Sequence, residues 1–333
     1  MKHLLLGLLA CVGFSACASI DVMSVDTLMP SDVSFAPGVR RVAVLNNMFP
    51  AEAPADGKLP LNTPVPLDGK VLTEELAGQL ANAGYFETVM ISDSLFRPAK
   101  PEGQVLFSPR EVEQLTSDLQ VDLLLTVDDA SLVPGATEMY TPYSEEERVA
   151  VFTGALSLET RVYLPGRDRP FQRFIDRDTL YWELDGLTRQ QIEEDATRHL
   201  AERPVGHLVP LWQTVNRYFY RGGSVNMRDA AVCLQEGDWD LAAESWKLDF
   251  DLRKGKAKMR AAFNLALYSE MKGDLPAALR YLDEARNALR DKKEGTDYRT
   301  SEDGRLIEAY ADELRRAALA RQKLDLQMKR FNE

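Results

Sequence analysis

The sequence has too few cysteines and histidines for a disulfide framework or a histidine-rich metal site. It holds three of each among 333 residues, and no two cysteines have metal-finger spacing. Acidic residues outnumber basic ones: the sequence has 52 Asp and Glu and 40 Lys and Arg, which gives a net charge of −12. Binding to a phosphate backbone needs a surplus of positive charge, so nucleic acid is not expected as a partner. We also expect no metal and no cofactor.

The motifs of the common catalytic sites are missing as well. The sequence has no serine elbow, phosphate-binding glycine loop, dinucleotide fingerprint or zincin helix. Asp128 and Asp129 follow a predicted strand, where the active sites of α/β proteins often lie. Neighbours on an extended chain point to opposite faces, so the two carboxylates cannot easily share a proton or a metal. We interpret them as a solvated strand end. Pro204 separates His199 from His207 and should interrupt a helix, so a shared metal site is not expected. We therefore predict no catalytic residues and no enzymatic activity.

A long apolar run is present only at the amino terminus, and it has the form of a secretory signal. Lys2 precedes the apolar residues 4–14, and small residues follow, which is the order of a signal peptide too short to span a bilayer. The tetrapeptide Phe-Ser-Ala-Cys that ends at Cys17 resembles a bacterial lipobox. We predict a signal peptide at 1–16 and lipidation of Cys17. The alternatives are a plain signal peptide with an incidental cysteine, and a lipobox that ends at Cys11.

Acylation of Cys17 would anchor an otherwise soluble body stably to a membrane. Residues 17–37 lack clear periodicity and are expected to form a lipidated tether. Ala18 resembles the outer-membrane default of the Gram-negative sorting rule, and Asp21 and Asp26 are a weak match to a surface-export signal. We expect an outer-membrane lipoprotein that faces the periplasm.

Residues 38–222 show the element order of an α/β domain. The predicted elements are a strand at 39–45, a proline-rich loop at 50–66, a helix at 68–83, a strand at 85–91, a helix that begins at Ser108, a strand at 121–127, a hairpin at 149–182, a helix capped by Thr188 and a second helix over 205–219. This order predicts a mixed sheet packed by helices. Gly222 and Gly223 mark the expected end of the domain.

Three segments carry a family resemblance. The segments GVRRVAVLNN, ANAGYFETVMI and LQVDLLLTVDDAS resemble the amino-terminal α/β domain shared by curli-secretion and TolB-like envelope lipoproteins, over roughly 37–220. As a whole, the chain resembles a family of bacterial envelope lipoproteins that combine such a domain with a helical-repeat tail. The resemblance implies a location and an architecture, and it implies no activity.

Residues 223–333 contain an internal repeat. EGDWDLAAESW at 236–246 aligns with KGDLPAALRYL at 272–282, so Gly237 and Gly273 are 36 residues apart. The second copy resembles a tetratricopeptide repeat, with small alanines such as Ala278 where helices cross. Asp249 departs from the pattern, because a small residue is usual there, and a lengthened turn is expected at 252–257. We predict an all-α repeat domain that ends in a capping helix at 302–331, and an α+β fold for the whole chain.

In tetratricopeptide arrays the first helix of each repeat lines the concave surface, and the resemblance implies a partner-binding surface here. Its residues would be Met227, Leu234, Arg260, Phe263, Leu267 and Glu270. Apolar anchors beside a charged clamp could hold an extended peptide. The competing interpretation is that Phe263 and Leu267 pack against the α/β body or the helix at 302–331.

We expect a lipid-anchored interaction module or scaffold in the cell envelope, bound to an envelope protein. One alternative is a subunit of an oligomeric secretion or assembly complex, for which the hairpin at 149–182 would have to line a pore. The charges at Arg167, Asp168, Arg169 and Arg173 disfavour that use of the hairpin. An uncharacterised hydrolase is the third hypothesis.

Overall fold

The computed structural model describes residues 20–49, 59–92, 106–141, 144–184, 187–290 and 297–331. The strands are β1 (Ile20–Met29), β2 (Arg41–Asn46), β3 (Val65–Pro66), β4 (Thr88–Ser92), β5 (Leu123–Thr141), β6 (Ser144–Tyr163), β7 (Gln172–Glu183) and β8 (Leu211–Tyr220). The α-helices are α1 (Gly69–Asn82), α2 (Pro109–Asp118), α3 (Arg189–Leu208), α4 (Val225–Gln235), α5 (Trp239–Leu252), α6 (Lys256–Met271), α7 (Leu275–Arg290) and α8 (Glu302–Met328).

The chain divides into two compact units. The sheet unit comprises Met29–Leu211 and Lys323–Glu333, and the helical unit comprises Met1–Leu28 and Trp212–Gln322. A mixed β-sheet and a largely helical second unit confirm the predicted α+β class. The division does not fall at 222 as predicted, because β8 belongs to the helical unit while the end of α8 belongs to the sheet unit.

The sheet unit is built on a mixed sheet with the strand order β4-β2-β5-β6-β7. β2 pairs in parallel with β4 and β5, whereas β6 pairs antiparallel with β5 and β7. The hairpin predicted at 149–182 is therefore present as β6 and β7. In the proline-rich segment, β3 is a short antiparallel neighbour of β5, with Val65 opposite Leu132, and residues 50–58 lie outside the described residues.

Helices cover both faces of this sheet. Val42 and Val44 of β2 belong to the apolar cluster that includes the α1 and α3 side chains, whereas Ala43 and Leu45 belong to the cluster that includes α2. Successive residues of a strand point to opposite faces, so α2 lies across the sheet from α1 and α3. The predicted capping box at Ser108 is confirmed, because its side chain and that of Glu111 bond each other's backbone amides.

The prediction that Pro204 interrupts a helix is wrong. Pro204 is buried inside α3, which continues to Leu208. The helix stops at Val209, whose backbone is extended (φ −131°, ψ 145°), because Pro210 disfavours helical geometry in the residue before it.

The second predicted helix, over 205–219, is also wrong beyond residue 208. Residues 211–220 form β8, which pairs with β1. The segment is rich in aromatic and β-branched residues, which favour a half-buried strand. Trp212 and Tyr218 lie on its exposed side and Phe219 on its buried side.

The predicted tether at 17–37 is likewise an ordered part of the fold from residue 20 onward. Residues 20–29 form β1, and Val33 and Phe35 are buried in the core of the sheet unit. Gln327 in the last turn of α8 donates hydrogen bonds of 3.0 Å to the carbonyls of Ser31 and Val33. The strand was hidden from sequence analysis because its pairing partner lies about 190 residues away in the chain.

The helical unit contains two helical hairpins, α4–α5 and α6–α7. Gly237 and Gly273 occupy the equivalent turns with φ of 79° and 78°, a left-handed conformation that favours glycine. Ala242 and Ala278 are both fully buried, as the repeat requires at a helix crossing. The equivalence to tetratricopeptide repeats stays a prediction.

The unusual Asp249 has a structural role in this unit. Its side chain is buried in α5, where Asn226 Nδ2 donates a 2.8 Å hydrogen bond to Asp249 Oδ1 and the Ser224 hydroxyl bonds the other oxygen. Ser224 is also the N-cap of α4. The carboxylate therefore ties the second helix of the hairpin to the start of the first.

Candidate functional site

An open groove of the helical unit lies across α5, α6 and α7. It has a volume of about 980 Å³. Its lining residues are Asp240, Ala243, Glu244, Lys247, Phe250, Lys258, Leu265, Tyr268, Ser269, Ala277, Arg280, Tyr281, Asp283 and Glu284. A cleft of this size can take a short segment of extended chain.

Aromatic rings line part of the groove. The rings of Phe250 and Tyr281 meet edge to face with centroids 5.6 Å apart. Lys258 Nζ lies 4.5 Å from the centroid of Phe250, in a cation–π arrangement. Phe250 and Tyr281 therefore present a fixed aromatic surface that joins α5 to α7.

Most charges at the groove are already paired. Lys258 lies 3.6 Å from Glu284, and Asp240 accepts hydrogen bonds from Lys272 Nζ at 2.8 Å and the Tyr268 hydroxyl at 2.7 Å. The hydrogen bond from Lys272, followed by that from Tyr268, lowers the pKa of Asp240. Asp240 and Glu284 are therefore occupied by partners within the chain.

Two cations at the groove are different. Lys247 of α5 and Arg280 of α7 are exposed, and neither makes an ion pair or hydrogen bond with another described residue. Glu244 also lines the groove and has no ion-pair partner among the described residues. The three unpaired side chains, Lys247, Arg280 and Glu244, therefore carry one net positive charge. The groove thus combines an aromatic surface with cations that are free to bind an anion.

The predicted binding surface is not open in the structure. Met227, Phe263 and Leu267 are 2%, 1% and 0% exposed. The Phe263 ring lies 5.3 Å from that of Tyr220 on β8 and 5.2 Å from that of Tyr310 on α8. The prediction that they line an accessible surface is wrong, because β8 and α8 cover this side of the hairpins. The competing interpretation, in which Phe263 packs on the carboxyl-terminal helix, is confirmed.

The polar members of the predicted surface are engaged as well. Arg260 Nη1 donates a 3.0 Å hydrogen bond to the carbonyl of Gly222. Glu270 Oε1 lies 2.8 Å from Arg217 Nη2, and the Glu270 side chain is 8% exposed. Burial alone would lower the pKa of Arg217, but the hydrogen bond and charge of Glu270, together with the nearby Tyr310 and Glu313, raise it. Leu234 is partly buried against the core.

Sequence reasoning missed the groove because it assigned recognition to the first helix of each repeat. The groove instead uses the second helices, α5 and α7, together with α6. A signal was present, since each second helix carries an exposed cation beside an aromatic residue: Lys247 with Phe250, and Arg280 with Tyr281.

A buried ion cluster lies in the sheet unit, where β2 ends and its parallel pairing with β5 stops. Asp128 Oδ2 accepts a 2.7 Å hydrogen bond from Arg161 Nη1, Asp128 Oδ1 accepts one of 2.5 Å from Asn47 Nδ2, and Arg161 also pairs with Glu159. Asp128 is buried whereas Asp129 is exposed, so the two point to opposite faces as predicted. The interpretation of Asp128 as a solvated strand end is wrong, because a register shift between Val127 and Asp129 accompanies its inward position.

This position is where open α/β sheets commonly bind ligands. Burial raises the pKa of Asp128 in spite of the hydrogen bonds from Asn47 and Arg161. Both of its oxygens are bonded within the chain. The cluster therefore acts as an internal ion network of the sheet unit.

The two histidines of α3 form separate carboxylate pairs. Because Pro204 does not break the helix, His199 and His207 lie on one face, but His199 bonds Asp178 at 2.8 Å and His207 Nε2 bonds Asp176 at 2.9 Å. His207 Nδ1 also lies 2.5 Å from Asp32.

The hydrogen bond to Asp176 raises the pKa of His207, against burial, which lowers it. With a carboxylate on each ring nitrogen, His207 is held as an imidazolium. In the described part of the chain, no group of three or more His, Cys, Asp or Glu is arranged to hold a metal.

A family model matches most of the region that contains the mixed sheet. Residues 39–220 match the family described as "Domain of unknown function (DUF8603)". The chain belongs to this family. Residues 228–316 match a second model, "Domain of unknown function (DUF6340)", so in this DUF8603 member the groove lies within the second match. No curated protein matches the chain.

Three solved structures align with half of the chain. The minor lipoprotein from Acinetobacter baumannii has 8% identity and a TM-score of 0.24, covering 50% of this chain and 88% of that one. A hypothetical protein from Chlamydia trachomatis has 13% identity and a TM-score of 0.27, with 50% and 96% covered. The rare lipoprotein B from Shewanella oneidensis has 14% identity and a TM-score of 0.23, with 50% and 88% covered.

Cys17 and the predicted signal peptide at 1–16 lie outside the described residues. Of the helices that the structure describes, none combines the length and the apolar character needed to cross a membrane.

Proposed function

We propose that the protein is a lipid-anchored envelope protein whose helical unit binds an extended, acidic segment of a partner protein. The anchor rests on the lipobox-like residues that end at Cys17. Its task in this proposal is binding and not catalysis, and its location is the periplasmic face of the outer membrane.

The groove across α5, α6 and α7 is the proposed binding site. One observation carries the proposal: the exposed cations Lys247 of α5 and Arg280 of α7 both line the groove without a carboxylate partner among the described residues. A carboxylate between them would satisfy both, while Phe250 and Tyr281 would pack on an apolar or aromatic neighbour. An acidic segment with interspersed aromatic residues fits this chemistry.

The test measures the affinity of the full-length mature protein for a fluorescent Glu-rich peptide that contains two Phe residues. The same peptide with Lys in place of every Glu is the comparison probe. We expect the acidic peptide to bind more tightly, with an affinity that falls as salt screens the contact. The double variant Lys247→Glu, Arg280→Glu should weaken its binding about tenfold, since two exposed charge contacts become repulsive.

A matched control has the same change in net charge away from the groove. Arg228 of α4 and Lys254, between α5 and α6, are exposed and do not line the groove, so Arg228→Glu with Lys254→Glu should leave the affinity unchanged. Equal losses in the two double variants would reduce the effect to net charge and would refute the groove as the site. Equal affinity for the two peptides would refute the acidic partner.

A further inference from the structure

The predicted lipid anchor has almost no free chain between it and the folded body. β1 begins at Ile20, so Ala18 and Ser19 are the only residues between the strand and Cys17. Three Cα–Cα steps of at most about 3.6 Å span about 11 Å. If Cys17 lies at the lipid headgroups, the first residue of β1 lies within that distance of them.

The strand that begins there is one half of the two-stranded sheet β1–β8. The Ser24 hydroxyl bonds Asn216 at 3.0 Å, and the Thr214 hydroxyl bonds Asp26 at 2.7 Å. From the first contact to the second, the residue number rises along β1 and falls along β8, so the two strands run antiparallel. Tyr218 therefore lies close to the anchored end of β1.

One face of this sheet is exposed and carries large apolar and aromatic side chains. Trp212, Tyr218 and Val22 are 71%, 47% and 48% exposed. Even-numbered residues from 22 to 28 of β1 and from 212 to 218 of β8 share this face, because side chains alternate along a strand. Ile20 and the fully buried Tyr220 pack instead against the core of the helical unit. The opposite face packs into the helical unit through Met23 and Phe219.

The other exposed side chains on this face are polar, and one of them, Asp26, is a carboxylate that accepts a hydrogen bond from the Thr214 hydroxyl. Ser24, Thr214 and Asn216 satisfy one another or Asp26 by hydrogen bonds, so their partial desolvation costs little. Trp and Tyr are the residues that prefer the headgroup region of a bilayer, where a ring can be half-buried and its polar atom wet. Near the anchor, Arg221 pairs with Asp21 at 3.2 Å, which leaves no net charge there.

We infer that the exposed face of the β1–β8 sheet, with Val22, Tyr218 and Trp212, lies on the surface of the membrane that holds the anchor. This inference rests on the lipidation of Cys17 in the proposed function. The short spacing holds the sheet at the headgroups, and the aromatic side chains then orient it. The helical unit would therefore be held on the bilayer surface and not suspended at a distance from it.

The test places an environment-sensitive fluorophore on this face of the lipidated full-length protein. The mature chain has one cysteine besides Cys17, at Cys233, so a Cys233→Ser background allows single labelling. Tyr218→Cys carries the label on the proposed contact face. Leu252→Cys, at the exposed end of α5, is the matched control. The labelled proteins are reconstituted into vesicles of phosphatidylethanolamine and phosphatidylglycerol, with and without lipids that carry a nitroxide quencher near the headgroup.

We expect the label at 218 to shift to shorter emission wavelengths and to lose more than half of its emission to the quencher lipid. The label at 252 should change little. Equal, weak quenching at both positions would overturn the inference. A wavelength shift at 218 without quenching would also overturn it, because a second protein surface and not lipid would then cover the face.

Flotation of the vesicles separates failure of the anchor from failure of this inference. Protein that floats and is not quenched keeps the anchor and refutes the contact face. Protein that does not float refutes lipidation, and the contact face falls with it. The acidic-peptide measurement depends on neither result.

Discussion

The hydroxyl of Tyr310 on α8 donates a 2.6 Å hydrogen bond to Oε2 of Glu270 on α6. Tyr310 is buried, and burial followed by the charge of Glu270 raises the pKa of its hydroxyl, so it stays protonated as a donor. Glu270 also binds Arg217 of β8. The contact therefore joins three elements of the helical unit and closes the side of the hairpins that carries Phe263.

This network predicts unequal effects for its two donors. Tyr310→Phe removes one hydrogen bond but leaves Glu270 paired with Arg217, so it should cost about 1 kcal/mol of unfolding free energy. Arg217→Met leaves a buried carboxylate without its counter-charge and should cost about 3–5 kcal/mol. Urea unfolding of the full-length protein measures both. Equal and small effects would show that α8 and β8 do not hold Glu270 in the core.

Lipidation of Cys17 is the second prediction. Growth with a clickable fatty acid should label the wild-type protein and fail to label Cys17→Ala, because the thiol at that position accepts the diacylglycerol. Cys11→Ala is the control, since it changes the other cysteine of the amino-terminal segment. Loss of labelling in Cys11→Ala with retention in Cys17→Ala would move the lipidation site to residue 11.

The helix crossing at Ala278 gives the third prediction. Ala278 of α7 is fully buried, so Ala278→Phe should overpack the crossing and destabilise the protein by about 1–3 kcal/mol. Asn287 lies on the same helix and is exposed, so Asn287→Phe adds the same ring at no comparable cost. The midpoints of urea unfolding compare the two variants. If Ala278→Phe unfolds like Asn287→Phe, the alanine does not mark a helix crossing.

Local signals in the sequence were sufficient for the elements that depend on near neighbours. The capping box at Ser108 and the glycine turns at Gly237 and Gly273 follow from residues within one turn of each other, and all three are present. β1 and β8 were missed because each is stabilised by a partner far along the chain. Neither strand has a clean alternation of its own, so the alternation of side chains does not reveal them.

The candidate site was missed for a related reason. Phe263 and Leu267 have the side chains of a binding surface, but whether such a surface is open depends on which distant elements cover it. Here β8 and α8 do so. The groove that stays open lies across α5, α6 and α7, and its exposed cations Lys247 and Arg280 lack a partner among the described residues.

The pH dependence of stability gives the fourth prediction, at His207. Its folded-state pKa is raised above the ordinary value of 6.5, chiefly by the hydrogen bond to Asp176. A raised pKa means that the folded protein holds the proton more tightly than the unfolded chain. The stabilisation is therefore complete below the unfolded-state pKa and is lost as the pH rises through the folded-state pKa.

Urea unfolding of wild type and His207→Gln between about pH 5.5 and about pH 9 tests this sign. The difference in unfolding free energy between the two proteins should be largest at the acidic end and should shrink as the pH rises. Asp176→Asn removes the main cause of the shift, so it should flatten the wild-type pH profile. A difference that grows with pH would contradict the imidazolium assignment.

The fifth prediction concerns Arg161, the shared partner in the ion cluster of the sheet unit. Arg161→Met leaves Asp128 buried with no opposite charge and should destabilise the protein by about 3–5 kcal/mol. Because burial already raises the pKa of Asp128, the variant should regain stability on acidification, as protonation removes the unpaired charge.

Arg173→Met is the matched control, since Arg173 is half-exposed and binds only Glu159. In this control Glu159 stays paired with Arg161. Urea unfolding should show little change for the control at any pH. Equal losses in the two variants would mean that Asp128 does not depend on Arg161, and that the cluster is a surface network instead of a buried one.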